Sequence, residues 1–312
     1  MPCGHTRDAP ACLGPGSVQQ DQRLASRSGY LGRMQSYEYR PVDPVHELPL
    51  TETLLRTAFP DAVHFTQEVL RWQYMDNPDG TVVGCNAWLE GTLAAHYVTI
   101  PMQANVNGKL EKGLLSLNTA THPAHQGKGL FTKLALATYE RAAREGFGFV
   151  VGVANANSTH GFIRKLGFSL VSPLRAMIGF GPLPVRKADA DVQFAHAWNP
   201  ASVAWRLRHP AYHYSAKAEG GRVLVLSGRK QFGARYILGV RDKAELQVEL
   251  PHEPGSVLRK VWIGLDPAMS WAGKPYVNIP MRFRPAPLNL IFKDLGGTGR
   301  VLDPGKVRFE AM

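Results

Sequence analysis

Apolar and polar residues alternate from Tyr37 to Val42, the period of a strand with one face on a core. Between Leu48 and Leu70 the apolar positions recur at helical spacing, and Phe59-Pro60-Asp61 interrupts them, so the stretch predicts two helices meeting at a turn. Asn77-Pro78-Asp79-Gly80 is a strong turn signal. Thr81 to Trp88 and Thr92 to Ile100 then flank Glu90-Gly91 as a hairpin, and Asn107-Gly108 turns the chain into a further strand, Leu110 to Thr121.

The period changes at Leu130. Leu130, Leu134 and Ala137 beside Phe131, Ala135 and Ala142 mark one helix face, with Glu140 four residues before Arg144 and a stop at Gly146. Phe147 to Val153 is a continuous apolar strand, Ser158 to Leu166 a short helix stopped by Gly167, and Phe168 to Val171 another strand. Pro173 to Ala190, with Gly179-Phe180-Gly181-Pro182-Leu183-Pro184, is a break long enough to connect two domains, with the boundary near 185. Beyond it, Trp205 to Pro210 (WRLRHP) echoes Trp72 to Pro78 (WQYMDNP), and strands are expected at Val223 to Leu226 and Arg235 to Val240. The echo fits either a degenerate internal repeat or two unrelated Trp-Pro segments.

Residues 1–33 are rich in Pro, Gly, Ser, Gln and Arg with little apolar periodicity, which predicts a disordered tail; Met34, just ahead of the first strand, is a candidate true start. The expected organisation is therefore a tail at 1–33, a first domain at 34–184 and a second α+β domain at 185–312. A chain of 312 residues that is 44% apolar and 20% charged has the composition of a folded globular protein, and that length suits two domains. Cys3, Cys12 and Cys85 are odd in number and lack paired spacing, which argues against a disulfide framework or a zinc site and points to the reducing cytoplasm. No apolar run reaches the length of a membrane span. The net charge of +11 is scattered, not gathered in a stripe, which disfavours nucleic acid and fits a polyanionic cofactor or an anionic acceptor.

The chemistry concentrates in Ser116-Leu-Asn-Thr-Ala-Thr-His-Pro-Ala-His-Gln126-Gly127-Lys128-Gly129-Leu130-Phe131, a strand that runs into a glycine turn opening the clearest helix. Glycines at 127 and 129 let successive N–H groups converge at a helix N-terminus, which suits a pyrophosphate, and Lys128 adds a formal charge. Pro123, the Gln126-x-x-Gly129 spacing, Asn157 ahead of a short helix and Lys165-Leu-Gly167-Phe168 closing it together resemble the signature of the GNAT acyltransferase superfamily.

The resemblance implies a mixed, mostly antiparallel twisted sheet flanked by helices, followed here by the second α+β domain. It implies that Gln126, Gly127, Lys128, Gly129, Leu130 and Phe131 hold the pyrophosphate of CoA through main-chain N–H groups. Thr119, Ala120 and Thr121 would bond the pantetheine arm and polarise the thioester, and Asn157 would contact the arm or, alternatively, cap the following helix. It implies a CoA thioester, most simply acetyl-CoA, as donor, a small-molecule amine as acceptor, no metal, and a second domain that shapes the acceptor site or a homodimer interface. Three features depart from the pattern: Phe131 fills a small position, Ile163 stands where many relatives carry a tyrosine acid, and Leu114 to Thr121 holds no carboxylate. No catalytic residue is assigned. Ser116, Asn118, Glu90, His96, Tyr97 and His160 are candidates by type only, each with a plain hydrogen-bonding role as the alternative. Trp72, Tyr74 and Asn77 suit either an acceptor pocket or packing and turn formation. His209, His213 and His252 lack metal-ligand spacing, and Trp198, Trp205, Trp262 and Trp271 read as core or interface. Rival readings are a catalytically inert CoA-binding module and a transferase using a carrier-protein or charged-tRNA donor.

Overall fold

Alternation along one long strand places the layers. In β3 (Thr92–Val106) Tyr97 joins a core with Leu130, Leu134, Tyr139 and Phe162, whereas its neighbour Val98 joins another with Leu54, Leu55, Leu70 and Tyr74. The sheet is thus covered on one face by α1 (Leu48–Ala58) and α2 (Gln67–Tyr74) and on the other by α3 (Leu130–Arg144) and α4 (Ala156–Leu166). This computed structural model describes residues 36–184, 190–231, 233–242, 249–252, 257–284 and 286–310. The tail expected at 1–33 and the start at Met34 lie outside the described residues.

The expected strands form β1 (Glu38–Pro41), β2 (Val83–Leu89), β3 and β4 (Lys109–Thr121), paired antiparallel in sequence order. β5 (Phe149–Ala154) then joins β4 in parallel after the α3 crossover, and β6 (Ser169–Pro173) follows α4. The break expected at 173–190 needs correction, because Arg175–Phe180 is a strand, β7. Gly179 looked like loop material, yet it is demanded by close packing: a Cβ there would sit 2.1 Å from the Pro275 carbonyl oxygen.

The second half repeats the order of the first. After β8 (Phe194–His196), α5 (Pro200–Leu207) precedes β9 (Tyr214–Glu219), β10 (Arg222–Gln231) and β11 (Ala234–Asp242), again antiparallel neighbours, and β12 (Arg259–Leu265) joins β11 in parallel. The two Trp-Pro segments meet reciprocally: Trp72 and Trp205 stack at 4.4 Å, and each indole N–H donates to the other's main-chain carbonyl at 2.9 Å. That symmetry favours the repeat over chance similarity.

The halves also trade strands. β14 (Asn289–Asp294) lies between β5 and β6, while β7 lies between β12 and β13 (Tyr276–Asn278). The main-chain ladder therefore runs past residue 185 in both directions. Among the described residues the strands, closing with β15 (Val307–Glu310), form one 15-stranded sheet.

Candidate functional site between the splayed strands

β4 and β5 pair only from Gly113 with Phe149 to Ser116 with Gly152. Beyond that point β4 continues to Thr121 and β5 to Ala154 without pairing to each other, so the sheet opens into a groove of about 640 Å³. A bulge forces the divergence. Between the pairs Leu117–Val98 and Ala120–His96, β4 carries one residue more than β3, and Asn118 takes a left-handed φ of 46°. Past the bulge, His122 N–H donates to Ala94 C=O at 2.9 Å, so alternation turns the main-chain groups of Thr121 away from β3 and toward the gap.

At the mouth of the gap, a short 3-10 turn (Pro123–His125) leads through Gly127 (φ 74°) and Gly129 (φ 73°) into α3. Both glycines occupy backbone space that side chains rarely adopt, and their turn leaves the first amides of the helix in open view. Among the described residues the N–H groups of Gly127 to Thr132 have no acceptor, whereas Gln126 N–H turns back to Pro123 C=O at 3.4 Å. Lys128 Nζ lies 5.7 Å from the Tyr37 ring centroid, and the Tyr37 hydroxyl meets His125 Nδ1 at 2.8 Å. Exposed amides, a helix N-terminus and a lysine together give the turn a local positive field that suits an anion.

On the opposite wall Asn155, not Asn157, caps α4. Its side chain accepts from Ser158 N–H at 3.0 Å while the Ser158 hydroxyl receives the Asn155 N–H at 3.1 Å. Asn157 is thereby released from the capping role and lines the groove, exposed. Replacing the cap, Asn155→Ala, is expected to lower stability by about 1 kcal/mol in urea unfolding.

Residues 39–171 match the model of the acetyltransferase (GNAT) domain. This segment belongs to the GNAT acetyltransferase family. The fold of the chain is similar to that of a probable N-acyltransferase from Enterococcus faecalis, with a TM-score of 0.56 at 11% identity over 84% of this chain and 73% of that one. It is similar as well to a GCN5-related N-acetyltransferase from Anabaena variabilis, with a TM-score of 0.56 at 8% identity over 83% of this chain and 73% of that one. Eis1 from Mycobacterium abscessus gives a TM-score of 0.54 at 11% identity over 83% of this chain and 74% of that one. No curated protein matches in sequence.

In the GNAT domain, Thr119, Thr121, Phe131 and Asn157 line the groove together with Ser116 and Asn118. Ala120 does not: it is buried under the sheet, opposite His96. Gln126, Gly127, Lys128 and Gly129 are exposed ahead of α3, and Leu130 is buried beneath it. The Phe131 ring turns toward the core, edge-on to Phe162 at 5.3 Å, so its bulk is absorbed without closing the turn. Leu288 and Ile291, from beyond residue 185, complete the lining through the exchanged strand β14. The corresponding divergence in the second half is filled. There β11 and β12 pair only as far as Ile237 with Trp262, β15 takes over against Gly264 and Leu265, and Glu310 accepts from Val240 N–H and from Arg241.

The candidates chosen by type separate clearly. Glu90 sits at the β2–β3 turn and His160 on the exposed face of α4, and neither lines the groove. Tyr97 is buried, bonded to the Ser116 hydroxyl at 3.0 Å and to Tyr139 at 2.5 Å, and burial pushes its phenol up to about 12. Asn77 forms its turn, donating to Pro101 C=O, and Trp72 packs on Trp205.

His96 belongs to a chain of polar groups that no local pattern announced. The Glu47 carboxylate accepts from Asn86 Nδ2 at 2.8 Å, which directs Asn86 Oδ1 to receive His96 Nδ1–H at 2.7 Å. His96 Nε2 must then accept the Tyr74 hydroxyl proton at 3.1 Å, and the Tyr74 oxygen accepts from Asn118 Nδ2 at 3.0 Å. Asn118 Nδ2 also donates to Gln73 Oε1 at 2.7 Å. A carboxylate at one end thus sets the sense of every bond up to the groove. Desolvation pushes the His96 imidazole down to about 3 and the buried Tyr74 phenol up, so neither exchanges a proton near neutral pH.

Proposed function

We propose that the chain is an N-acyltransferase that moves an acyl group, most simply acetyl, from CoA to an amine acceptor by direct transfer in the cytoplasm. The observation that carries this reading is the pairing of the unsatisfied amides of Gly127–Thr132 with the open gap between β4 and β5. The amides would hold the pyrophosphate, and Thr119, Thr121 and Asn157 would guide the pantetheine arm. A main-chain N–H on the Thr121 side of the bulge would face the thioester oxygen as charge develops on it. The amine nitrogen bonds to the carbonyl carbon, the C–S bond breaks, and the proton shed by nitrogen ends on the departing sulfur.

A second reading, an inert CoA-binding module, is favoured by one observation: among the described residues lining the groove none is ionisable. Incubating the protein with acetyl-CoA and a panel of amino sugars, polyamines, amino acids and aromatic amines separates the two. Thiol release that depends on one amine class supports transfer. Micromolar CoA binding without release for any amine favours the inert module.

A further inference from the structure

Leu117, Val153 and Leu288 give the groove its apolar walls, and its polar groups are hydroxyls and amides such as Ser116, Asn118 and Asn157. A charged ammonium brought here would lose its water without gaining a counter-ion, which is strongly unfavourable. Polyamines and other strongly basic amines would also need to give up a proton before attack, and no carboxylate or imidazole among the described lining residues takes it.

One lining group is built to receive an N–H. Asn118 holds a left-handed backbone at the bulge, and both hydrogens of its amide nitrogen are committed, to Gln73 Oε1 and to Tyr74 Oη. The direction imposed from Glu47 through Asn86, His96 and Tyr74 prevents that amide from turning over. Its Oδ1 is left as an acceptor with no partner among the described residues, at the point where β4 leaves β5.

We infer that the acceptor is a weakly basic amine on an apolar body, of arylamine or alkoxyamine type, whose N–H is received by Asn118 Oδ1. This rests on the acyl-transfer reading and narrows it. The acceptor arrives uncharged with its lone pair free and one N–H held by Asn118. Attack forms the C–N bond and breaks the C–S bond, and the second proton passes from nitrogen to the thiol, giving an amide and free CoA.

The test follows thiol release by the full chain from acetyl-CoA with para-toluidine and, separately, spermidine. At pH 7, kcat/KM for para-toluidine is expected to exceed that for spermidine by at least about 100-fold, the scale of an uncompensated buried charge. Asn118→Gly, which keeps the backbone relaxed at positive φ, should raise the para-toluidine KM about tenfold and leave the Kd for CoA within about twofold. Asn118→Asp, which supplies a counter-ion, should shift the preference toward spermidine by about tenfold. Spermidine used as well as para-toluidine, or an unchanged KM in Asn118→Gly with CoA affinity retained, overturns the inference. Absence of thiol release with para-toluidine overturns the inference alone, whereas absence of CoA binding, or of release with every amine of the wider panel, overturns the acyl-transfer reading and this inference with it.

Discussion

Gly129→Asp is expected to abolish CoA binding. Gly129 caps α3 with φ 73°, and the amides that follow it are those left without acceptors. The substitution does two things there. It places an L side chain in left-handed backbone, at a cost of roughly 1 kcal/mol. It also sets a carboxylate against the pyrophosphate, and two like charges about 4 Å apart repel by about 4 kcal/mol at the effective dielectric of a protein surface. The strain falls on the free and bound protein alike, whereas the repulsion corresponds to a loss of affinity of roughly 1,000-fold, measured by calorimetric titration with CoA. Gly129→Asn separates the two terms, since Asn tolerates positive φ and carries no charge; it should lose no more than about tenfold. Micromolar affinity retained by Gly129→Asp would place the cofactor elsewhere.

The second large effect is on stability and depends on pH. His96, bonded at both ring nitrogens, and His196, stacked on Trp198 at 3.7 Å beside Arg241 and Arg206, are both held neutral by burial, which pushes each down to about 3. The unfolded imidazole takes its proton near 6.5. A folded pKa below the unfolded one means that the unfolded chain binds more protons between those values, so stability is complete above about pH 6.5 and falls as the pH is lowered toward 3. Each histidine contributes about 1.4 kcal/mol per pH unit within that window, or about 2.7 kcal/mol per unit for the two together. Urea unfolding at pH 7 and pH 5.5, above the carboxylate range, should therefore show a marked loss, and His196→Asn should lessen the dependence by about a third, because burial also pushes His209 down, to about 4. Equal stability at the two pH values would mean that these rings are hydrated or charged in the folded protein.

Local chemistry was legible where a short segment does the work by itself. The apolar period from Leu130 to Ala142, the glycine pair at 127 and 129 and the stop at Gly167 each act through backbone geometry within a few residues, and the structure forms α3, the open amides and α4 from them. What distance decides was not legible. Strand β7 was hidden because Gly179 and Gly181 signal a loop, although the first is required by the approach of Pro275. The exchange of β7 and β14 depends on pairing between residues as far apart in the chain as Arg259 with Phe180 and Asp294 with Phe149, which no local period encodes. Asn118 appeared as one amide in a strand. Its meaning comes from Gln73, Tyr74, His96, Asn86 and Glu47, gathered from α1, α2, β2 and β3 and the turns beside them. Asn157 was ambiguous between cap and ligand, and the capping box of Asn155 and Ser158 removes the first role.

We propose that the gap between β4 and β5, with the amides of the Gly127–Gly129 turn, is the seat of CoA. A crystal structure of the full chain grown with CoA tests it most directly. The pyrophosphate is expected on the N–H groups of Gly127 to Thr132, with the pantetheine arm passing between Thr121 and Asn157. CoA bound at any other surface, or an arm that leaves the β4–β5 gap empty, would contradict it.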